Sequence, residues 1–325
     1  MEKQIKTIGV LTSGGDAPGM NAAVRAVVRT ALSKGIKVKG IERGYNGLLH
    51  NEMRDMDLRS VSEIIHRGGT VLYTARCLEF LTKEGQEQGA QCCRDNGIDA
   101  LVVVGGDGSF KGARALANLG IPCIGIPGPI DNDIACSEYT IGYDTAMNTA
   151  VEMVDKLRDT TQSHDRCSVV EVMGRHAGYI ALNVGIATGA IATLIPERPY
   201  DLERDILDRM SFTQKTGKKH FIIVKAEGVP GTAQDLANEI QAHTGIDSRA
   251  TVLGHVQRGG APTLRDRVTA SQMGYQAVYL LERGIFNRVV AVSADQIVDY
   301  DINVALAMHK TIDTKMIDVA NTISI

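Results

Sequence analysis

The apolar run Ala100-Leu101-Val102-Val103-Val104 passes without a break into Gly105-Gly106-Asp107-Gly108-Ser109. A short valine-rich run reads as a strand, and a glycine pair at its end predicts a turn whose working surface is the backbone itself. Adjacent glycines let N–H groups approach phosphate oxygens without a Cβ in the way. An acidic residue among them suits the Mg²⁺ that accompanies a nucleotide. Taken alone, Gly-Gly-Asp also serves as a plain tight turn.

A second copy weighs against that plainer reading. Ile8-Gly9-Val10-Leu11-Thr12-Ser13-Gly14-Gly15-Asp16 is again an apolar strand running into Gly-Gly-Asp. Ligands of open α/β sheets lie at the carboxyl ends of strands, so both loops are expected to face one ligand. Behind the second copy, Ala22, Ala23, Val27, Val28 and Leu32 recur at helical spacing over 18–34, and Gly35 stops the pattern. Further strands are expected at 37–42, 124–126, 168–172, 220–225 and 288–293. Helices are expected at 144–158, 202–212, 232–244 and 269–282. The alternation predicts an α/β fold, doubly wound, with mostly parallel sheets.

With 325 residues and 44% hydrophobic content the chain can build about two domains with substantial cores. A net charge of −3 gives no global attraction to nucleic acid or to an anionic membrane, so any anion site must be built locally from clustered arginines. No apolar stretch reaches membrane-spanning length. The start, Met1-Glu2-Lys3-Gln4-Ile5-Lys6, enters a strand without a signal-peptide core, so a cytoplasmic location is expected. The six cysteines (Cys77, Cys92, Cys93, Cys123, Cys136, Cys167) form no C-x-x-C pair and have no histidine at metal-ligand spacing, which predicts reduced, mostly buried thiols.

The segment Pro127-Gly128-Pro129-Ile130-Asp131-Asn132-Asp133 follows another strand and packs two carboxylates and an amide into three positions. A carboxylate there could take a proton from an attacking hydroxyl while its neighbour helps place a metal. The same residues could equally make an Asx-type turn after proline.

These motifs occur in an order that resembles the bacterial ATP-dependent 6-phosphofructokinases. The resemblance rests on Gly14-Gly15-Asp16-Ala17-Pro18-Gly19-Met20-Asn21, the 105–109 loop and Ile130-Asp131-Asn132-Asp133. It continues through Val169-Val170-Glu171-Val172-Met173-Gly174-Arg175 and 249–260, which runs from Arg249 to Gly260, and so spans nearly the whole chain. It implies Mg-ATP-dependent phosphorylation of fructose 6-phosphate at its 1-hydroxyl, the committed step of glycolysis. ATP would be bound by Gly15, Arg76, Cys77, Gly106, Asp107, Gly108 and Ser109, with Asp107 on Mg²⁺. Asp131 would be the base, Asp133 would assist with the metal, and Arg175 would join them in catalysis. The sugar phosphate would meet Pro129, Ile130, Asp131, Arg166, Met173, Gly174, Arg175, Glu227, Arg249, His255 and Arg258. Guanidinium groups suit that task because they donate paired hydrogen bonds and stay charged. In the family, Arg166 and Arg249 come from a neighbouring subunit, which implies a homotetramer.

The resemblance further places residues 1–141 and 256–307 in a larger, ATP-binding domain. Residues 142–255 and 308–325 would form a smaller sugar-phosphate domain, with the active site in the crevice between them. Relatives that use pyrophosphate carry Asp at the position of Gly108 and Lys at that of Gly128, so small residues here favour ATP. Pro129 departs from the family's Thr or Ser and removes a side-chain donor, which predicts reduced turnover. Arg25, Arg29, Arg158, Lys218 and Lys219 match a basic pocket for ADP or phosphoenolpyruvate as effectors. Ile191 stands where the family has an acidic residue, and Thr216 where it has a lysine, so effector control is expected to be weakened. Two alternatives stay open: a pyrophosphate-dependent enzyme, and a weakly active regulatory subunit that binds nucleotide or sugar phosphate.

Overall fold

In the computed structural model, which describes residues 5–324, the run at 100–105 is a central strand buried along its whole length. Chain order begins β1 (Thr7–Thr12), α1 (Met20–Ser33), β2 (Lys37–Ile41), α2 (Gly44–Leu49), β3 (Met53–Met56), α3 (Lys83–Asp95), β4 (Ala100–Gly105), α4 (Asp107–Asn118) and β5 (Cys123–Pro127). There follow α5 (Tyr143–Ser163), β6 (Cys167–Val172), α6 (Tyr179–Thr188), β7 (Ala192–Leu194), α7 (Asp208–Gln214), β8 (Phe221–Ala226), α8 (Ala233–Thr244) and β9 (Ser248–Val252). The last elements are α9 (Leu264–Glu282), β10 (Arg288–Ser293), β11 (Gln296–Asp301), α10 (Ile302–Ala307) and α11 (Thr314–Ile323). Among the described residues no helix is long and apolar enough to cross a membrane.

The chain divides into two compact units, Met1–Thr145 with Arg258–Lys310, and Ala146–Gln257 with Thr311–Ile325. The first unit holds a sheet ordered β11-β10-β5-β4-β1-β2-β3, parallel except for its edge strands β11 and β3. Leu101 and Val103 of β4 enter a core with Leu11, Leu48, Phe80, Phe110 and Leu116. α1 packs on α9, where Gly274 permits the approach: a Cβ there would lie 2.7 Å from the Ala23 carbonyl oxygen. The second unit holds an all-parallel sheet ordered β7-β8-β6-β9. The α/β fold with mostly parallel sheets is therefore the one the alternation predicts.

Three helices differ most from the sequence expectation at their ends. α9 begins at Leu264 rather than at 269, because Thr263 caps it by accepting a hydrogen bond from the Asp266 backbone N–H. That is half of a capping box, and the charged first turn hides it from a periodicity test. α5 runs past 158 to Ser163. The 202–212 segment starts with a π-helical turn at Glu203–Leu207 before α7. Four cysteines are buried, and none of the six is in a disulfide. Burial pushes the Cys93 and Cys167 thiols up to about 12, so they stay protonated and inert.

Asp266 joins three parts of the first unit. Its carboxylate, fully buried, accepts hydrogen bonds from the Tyr139 hydroxyl (2.5 Å), Gly142 N–H (2.7 Å), Thr145 N–H (2.9 Å) and the Thr145 hydroxyl (2.5 Å). Burial pushes this carboxyl up and the donors pull it down. All four partners donate, which matches the ionised form. The same side chain thus fixes the start of α5, the start of α9 and the end of the loop that leads into α5. In Asp266→Asn an NH₂ group would replace one accepting oxygen and face donors. We expect a loss of about 3 kcal/mol in chemical unfolding, as for other broken buried ionic networks.

Candidate active site

β1, β4 and β5 lie side by side and end together, with Thr12 opposite Val104 and Gly105 opposite Pro127. Ser13 N–H donates to the Val104 carbonyl at 2.9 Å and Gly128 N–H to Gly105 at 3.0 Å, so the pairing continues one residue into each loop. Three of the sequence motifs therefore leave one sheet edge. The strand ends pack so closely that a Cβ on Gly105 would sit 2.5 Å from the Ser13 carbonyl oxygen and 2.5 Å from Ser109 Oγ.

Gly106 precedes the first turn of α4 and accepts its first helical hydrogen bond from Phe110 N–H at 3.0 Å. Asp107 and Gly108 are exposed there and Ser109 is buried. The first-turn N–H groups of a helix have no intrahelical acceptors and suit an anion. At Gly108 a Cβ would meet nothing within 4 Å. The buried Tyr45 hydroxyl holds the Ser109 carbonyl at 2.6 Å, and its ring stacks on Phe80 at 4.1 Å between centroids. The segment carrying Arg76 and Cys77 is stitched to the end of β1. Thr12 Oγ1 donates to the Tyr73 carbonyl at 2.8 Å, and Thr74 Oγ1 donates to the Gly14 carbonyl at 2.7 Å. Arg258 also belongs to this unit. Its Nη1 donates to the Asp16 carbonyl at 3.1 Å, and a Cβ on Gly15 would come within 2.6 Å of the same nitrogen. The expected sugar-phosphate ligand Arg258 is thus placed against a glycine loop.

The loop after β5 brings Asp131 to the same edge, 5% exposed, followed by Asn132 at 4% in the left-handed region with φ 54°. Non-glycine residues held there cost energy and cluster at functional sites. Asn132 Nδ2 donates to the Glu138 carbonyl at 3.1 Å. Pro129 contributes its carbonyl, which accepts from Thr140 Oγ1 at 2.6 Å. No group of three or more metal-ligating side chains occurs among the described residues. A single exposed carboxylate, Asp107, beside unsatisfied amides fits a Mg²⁺ that keeps waters and binds phosphate oxygens.

In the second unit, Met173, Gly174 and Arg175 follow β6, and Glu227 follows β8. Glu227 Oε1 accepts from Gly174 N–H (3.1 Å) and Arg175 N–H (2.6 Å), and Gln257 Oε1 accepts from Met173 N–H at 2.8 Å. Arg175 has φ 57°, a second strained non-glycine residue in an expected site loop. Beneath them Lys225 and Glu171, opposite each other on β8 and β6, form an ion pair at 2.9 Å, with the lysine side chain 1% exposed. Arg166 and Arg249 are elsewhere. Both reach the Asp247 carboxylate, Arg166 Nε at 2.6 Å and Arg249 Nε at 2.9 Å, and the Arg166 guanidinium chiefly holds that carboxyl below its usual range. They stand at the amino-terminal ends of β6 and β9, whereas Met173 to Arg175 follow the other end of β6. A six-residue strand separates the two groups by about 20 Å. One copy of the chain therefore does not bring the expected sugar-phosphate residues into one cluster. His255 is exposed in a short 3₁₀ turn of this unit.

The basic residues of the expected effector pocket divide between the units. Arg25 and Arg29 lie on α1, where burial and then the Arg29 charge lower the Arg25 pKa, and Arg29 Nε is buried without a hydrogen-bond partner. In the second unit Arg158 donates to the Thr188 carbonyl, and burial together with Arg158 lowers the Lys218 pKa, while Lys219 is exposed. Ile191 is fully buried and Thr216 exposed. Sequence reasoning missed Asp247, Gln257, Tyr45 and Lys225. Gln257 lies within the 249–260 motif and Tyr45 between Gly44 and Gly47, but what each does is a hydrogen bond to a group distant in sequence, which residue type and spacing do not reveal.

The phosphofructokinase family model matches residues 7–281. ATP-dependent 6-phosphofructokinase of Clostridium botulinum strain Hall is 53% identical over 320 residues, covering 98% of this chain and 100% of the relative. That of Clostridioides difficile is 54% identical over 321 residues, covering 99% and 100%. Among solved structures, phosphofructokinase from Saccharomyces cerevisiae aligns with a TM-score of 0.87 and 36% identity over 98% of this chain, which spans about half (48%) of the yeast chain. A pyrophosphate-dependent phosphofructokinase from Marinobacter aquaeolei aligns with a TM-score of 0.86 and 25% identity, covering 96% of this chain and 86% of the other.

The crowding at the strand ends sets a test. Gly105→Ala is expected to cost about 1–3 kcal/mol of stability, since the backbone oxygen it meets cannot move without shifting β1. It should also weaken ATP binding by about tenfold or more in a fluorescence or calorimetric titration. Gly108→Ala, which meets open space inside a helix, should keep or slightly raise stability, by up to about 1 kcal/mol, while still weakening ATP.

Proposed function

The chain belongs to the phosphofructokinase family, and from that premise we propose that it phosphorylates fructose 6-phosphate at O1 with ATP, giving fructose 1,6-bisphosphate and ADP. The observation that carries the reading is the convergence of the two glycine loops and the Asp131 loop on one sheet edge. Phosphoryl transfer has a loose transition state, so positioning and charge stabilisation do most of the work. The amides at Gly106 to Ser109 and at Gly15 hold phosphate oxygens, with Arg76 and Cys77 beside them. Asp107 would hold Mg²⁺, which when bound would supply neutralisation of the phosphate charge. Asp131 accepts the proton of the sugar hydroxyl, and its near-complete burial keeps water from competing for that hydroxyl. Asp133, two residues further along the same loop, would assist with the metal.

ATP use is supported by two observations. Relatives at 53% and 54% identity are named ATP-dependent, whereas the pyrophosphate-dependent structure is at 25%. At Gly108 space is open for a longer nucleotide, and at Gly128 a Cβ would already touch Met20 Cε at 3.0 Å, leaving no room for a lysine without repacking.

The sugar phosphate is held by Met173, Gly174, Arg175 and Glu227 of one copy, with Ile130, His255 and Arg258. The separation of Arg166 and Arg249 from that loop supports their service to a neighbouring copy, in a homotetramer with shared sites. Arg25, Arg29, Arg158, Lys218 and Lys219 would meet an anionic effector such as ADP or phosphoenolpyruvate, with no ligand from Ile191 for its metal.

Two measurements test the reading. Initial rates with fructose 6-phosphate and Mg²⁺ should show ATP far ahead of pyrophosphate, and Asp131→Asn should lower kcat by a factor on the order of 10²–10⁴. Activity with pyrophosphate alone would overturn the donor assignment. Mixing Asp131→Asn subunits with Arg249→Ala subunits, each weakly active alone, should restore a substantial part of the activity after dissociation and reassembly. Strictly additive rates would place both residues in the service of the same copy.

A further inference from the structure

The loop that carries Asp131 spans 128–142 between β5 and α5 and has no ladder to hold it. Its backbone is buried around Asp131, Asn132 and Ser137, so each carbonyl there needs a donor. Two of these carbonyls are met by one side chain from far along the sequence. Lys310 Nζ lies 2.8 Å from the Asn132 oxygen and 2.7 Å from the Ser137 oxygen. Lys310 is the last residue of the first unit, and the chain continues into the second at Thr311.

We propose that Lys310 is a positioning residue for phosphoryl transfer, its ammonium clasping the Asn132 and Ser137 carbonyls and so fixing the direction in which Asp131 presents its carboxylate. The inference rests on Asp131 being the base. The geometry specifies the connection. The Asn132 carbonyl belongs to the residue in left-handed conformation directly after Asp131, so the donor on that oxygen fixes the ψ angle at the strained position. Around it, Asn132 Nδ2 holds the Glu138 carbonyl at 3.1 Å, Ser137 Oγ donates to the Tyr139 carbonyl at 2.6 Å, and Val292 N–H of β10 donates to Ser137 Oγ at 2.9 Å. The far end of the loop is therefore pinned to the sheet, and Lys310 ties the Asp131 end to it. A single ammonium can do this because it offers three donors from one point.

The arrangement is costly for a lysine. Burial pushes its pKa down to about 8, against the pull of Asp133, Cys136 and Glu138. A methionine of similar length would fill the space without that cost and without the two hydrogen bonds. A buried charge is retained where it specifies a geometry rather than where it adds stability.

The test uses the full-length protein with saturating ATP and fructose 6-phosphate. Lys310→Met and Lys310→Ala should fold, with thermal midpoints near that of the wild type, and should lose about ten- to a hundredfold in kcat, the size of effect that follows small misplacement of a reacting group. KM for both substrates should stay within about threefold, because the loop's substrate-facing groups remain. Propylammonium, which restores the missing amine in Lys310→Ala, should recover part of the kcat, and tetramethylammonium, which has no N–H donor, should not. Because Lys310 acts through Asp131, the double variant Asp131→Asn/Lys310→Met should be no slower than Asp131→Asn alone. Near-wild-type kcat in both Lys310 variants would overturn the inference, as would loss of the folded circular-dichroism signal, equal recovery with tetramethylammonium, or fully multiplicative losses in the double variant. A fully active Asp131→Asn would instead sink the base assignment, and with it the premise.

Discussion

Parallel pairing of β5, β4 and β1 is the constraint on which the rest of the first unit depends. Parallel strands deliver their carboxyl ends to the same edge, so whatever residues follow them are forced into proximity. Here those followers are two glycine loops and an acidic loop, held in a register that matches Thr12 to Val104 and Gly105 to Pro127. The register leaves no room for a side chain at Gly105. Glycine at that position therefore answers a packing demand of the strands as well as the needs of a phosphate.

The loops are then fixed by buried polar groups rather than by more sheet. Asp266 gathers Tyr139, Gly142 and Thr145. Lys310 gathers Asn132 and Ser137, and Glu227 gathers Gly174 and Arg175. Each uses the fact that a single charged side chain can satisfy several backbone or hydroxyl groups that burial has cut off from water. None would be expected to add much net stability compared with an apolar core of equal volume. What they secure is one conformation for irregular segments, including left-handed backbone at Asn132 and Arg175.

Much of the fold was legible because hydrophobic periodicity and glycine position are local. The strands at 100–105 and 7–12 and their glycine turns are found where the residues point. Element ends were less legible where a cap decides them, as Thr263 does for α9, since capping is a single hydrogen bond and leaves little trace in the pattern. The acidic and glycine residues expected in the nucleotide loops are contiguous in sequence and meet at one edge. The arginines are dispersed, and their grouping depended on three dimensions. Arg258 lies on the first unit beside Asp16, while Arg166 and Arg249 share Asp247 at the far end of β6.

The sequence by itself determined the α/β class, the strand-to-glycine turns and the chemistry available at each, because those follow from residue type and short spacing. Tertiary structure alone decided which distant groups complete the loops. Lys310 reaches Asn132 across 178 residues and Asp266 reaches Tyr139 across 127. Contacts of that separation are set by strand order and register, which no local pattern encodes, so the residues that hold the candidate site in shape were invisible until the chain was folded.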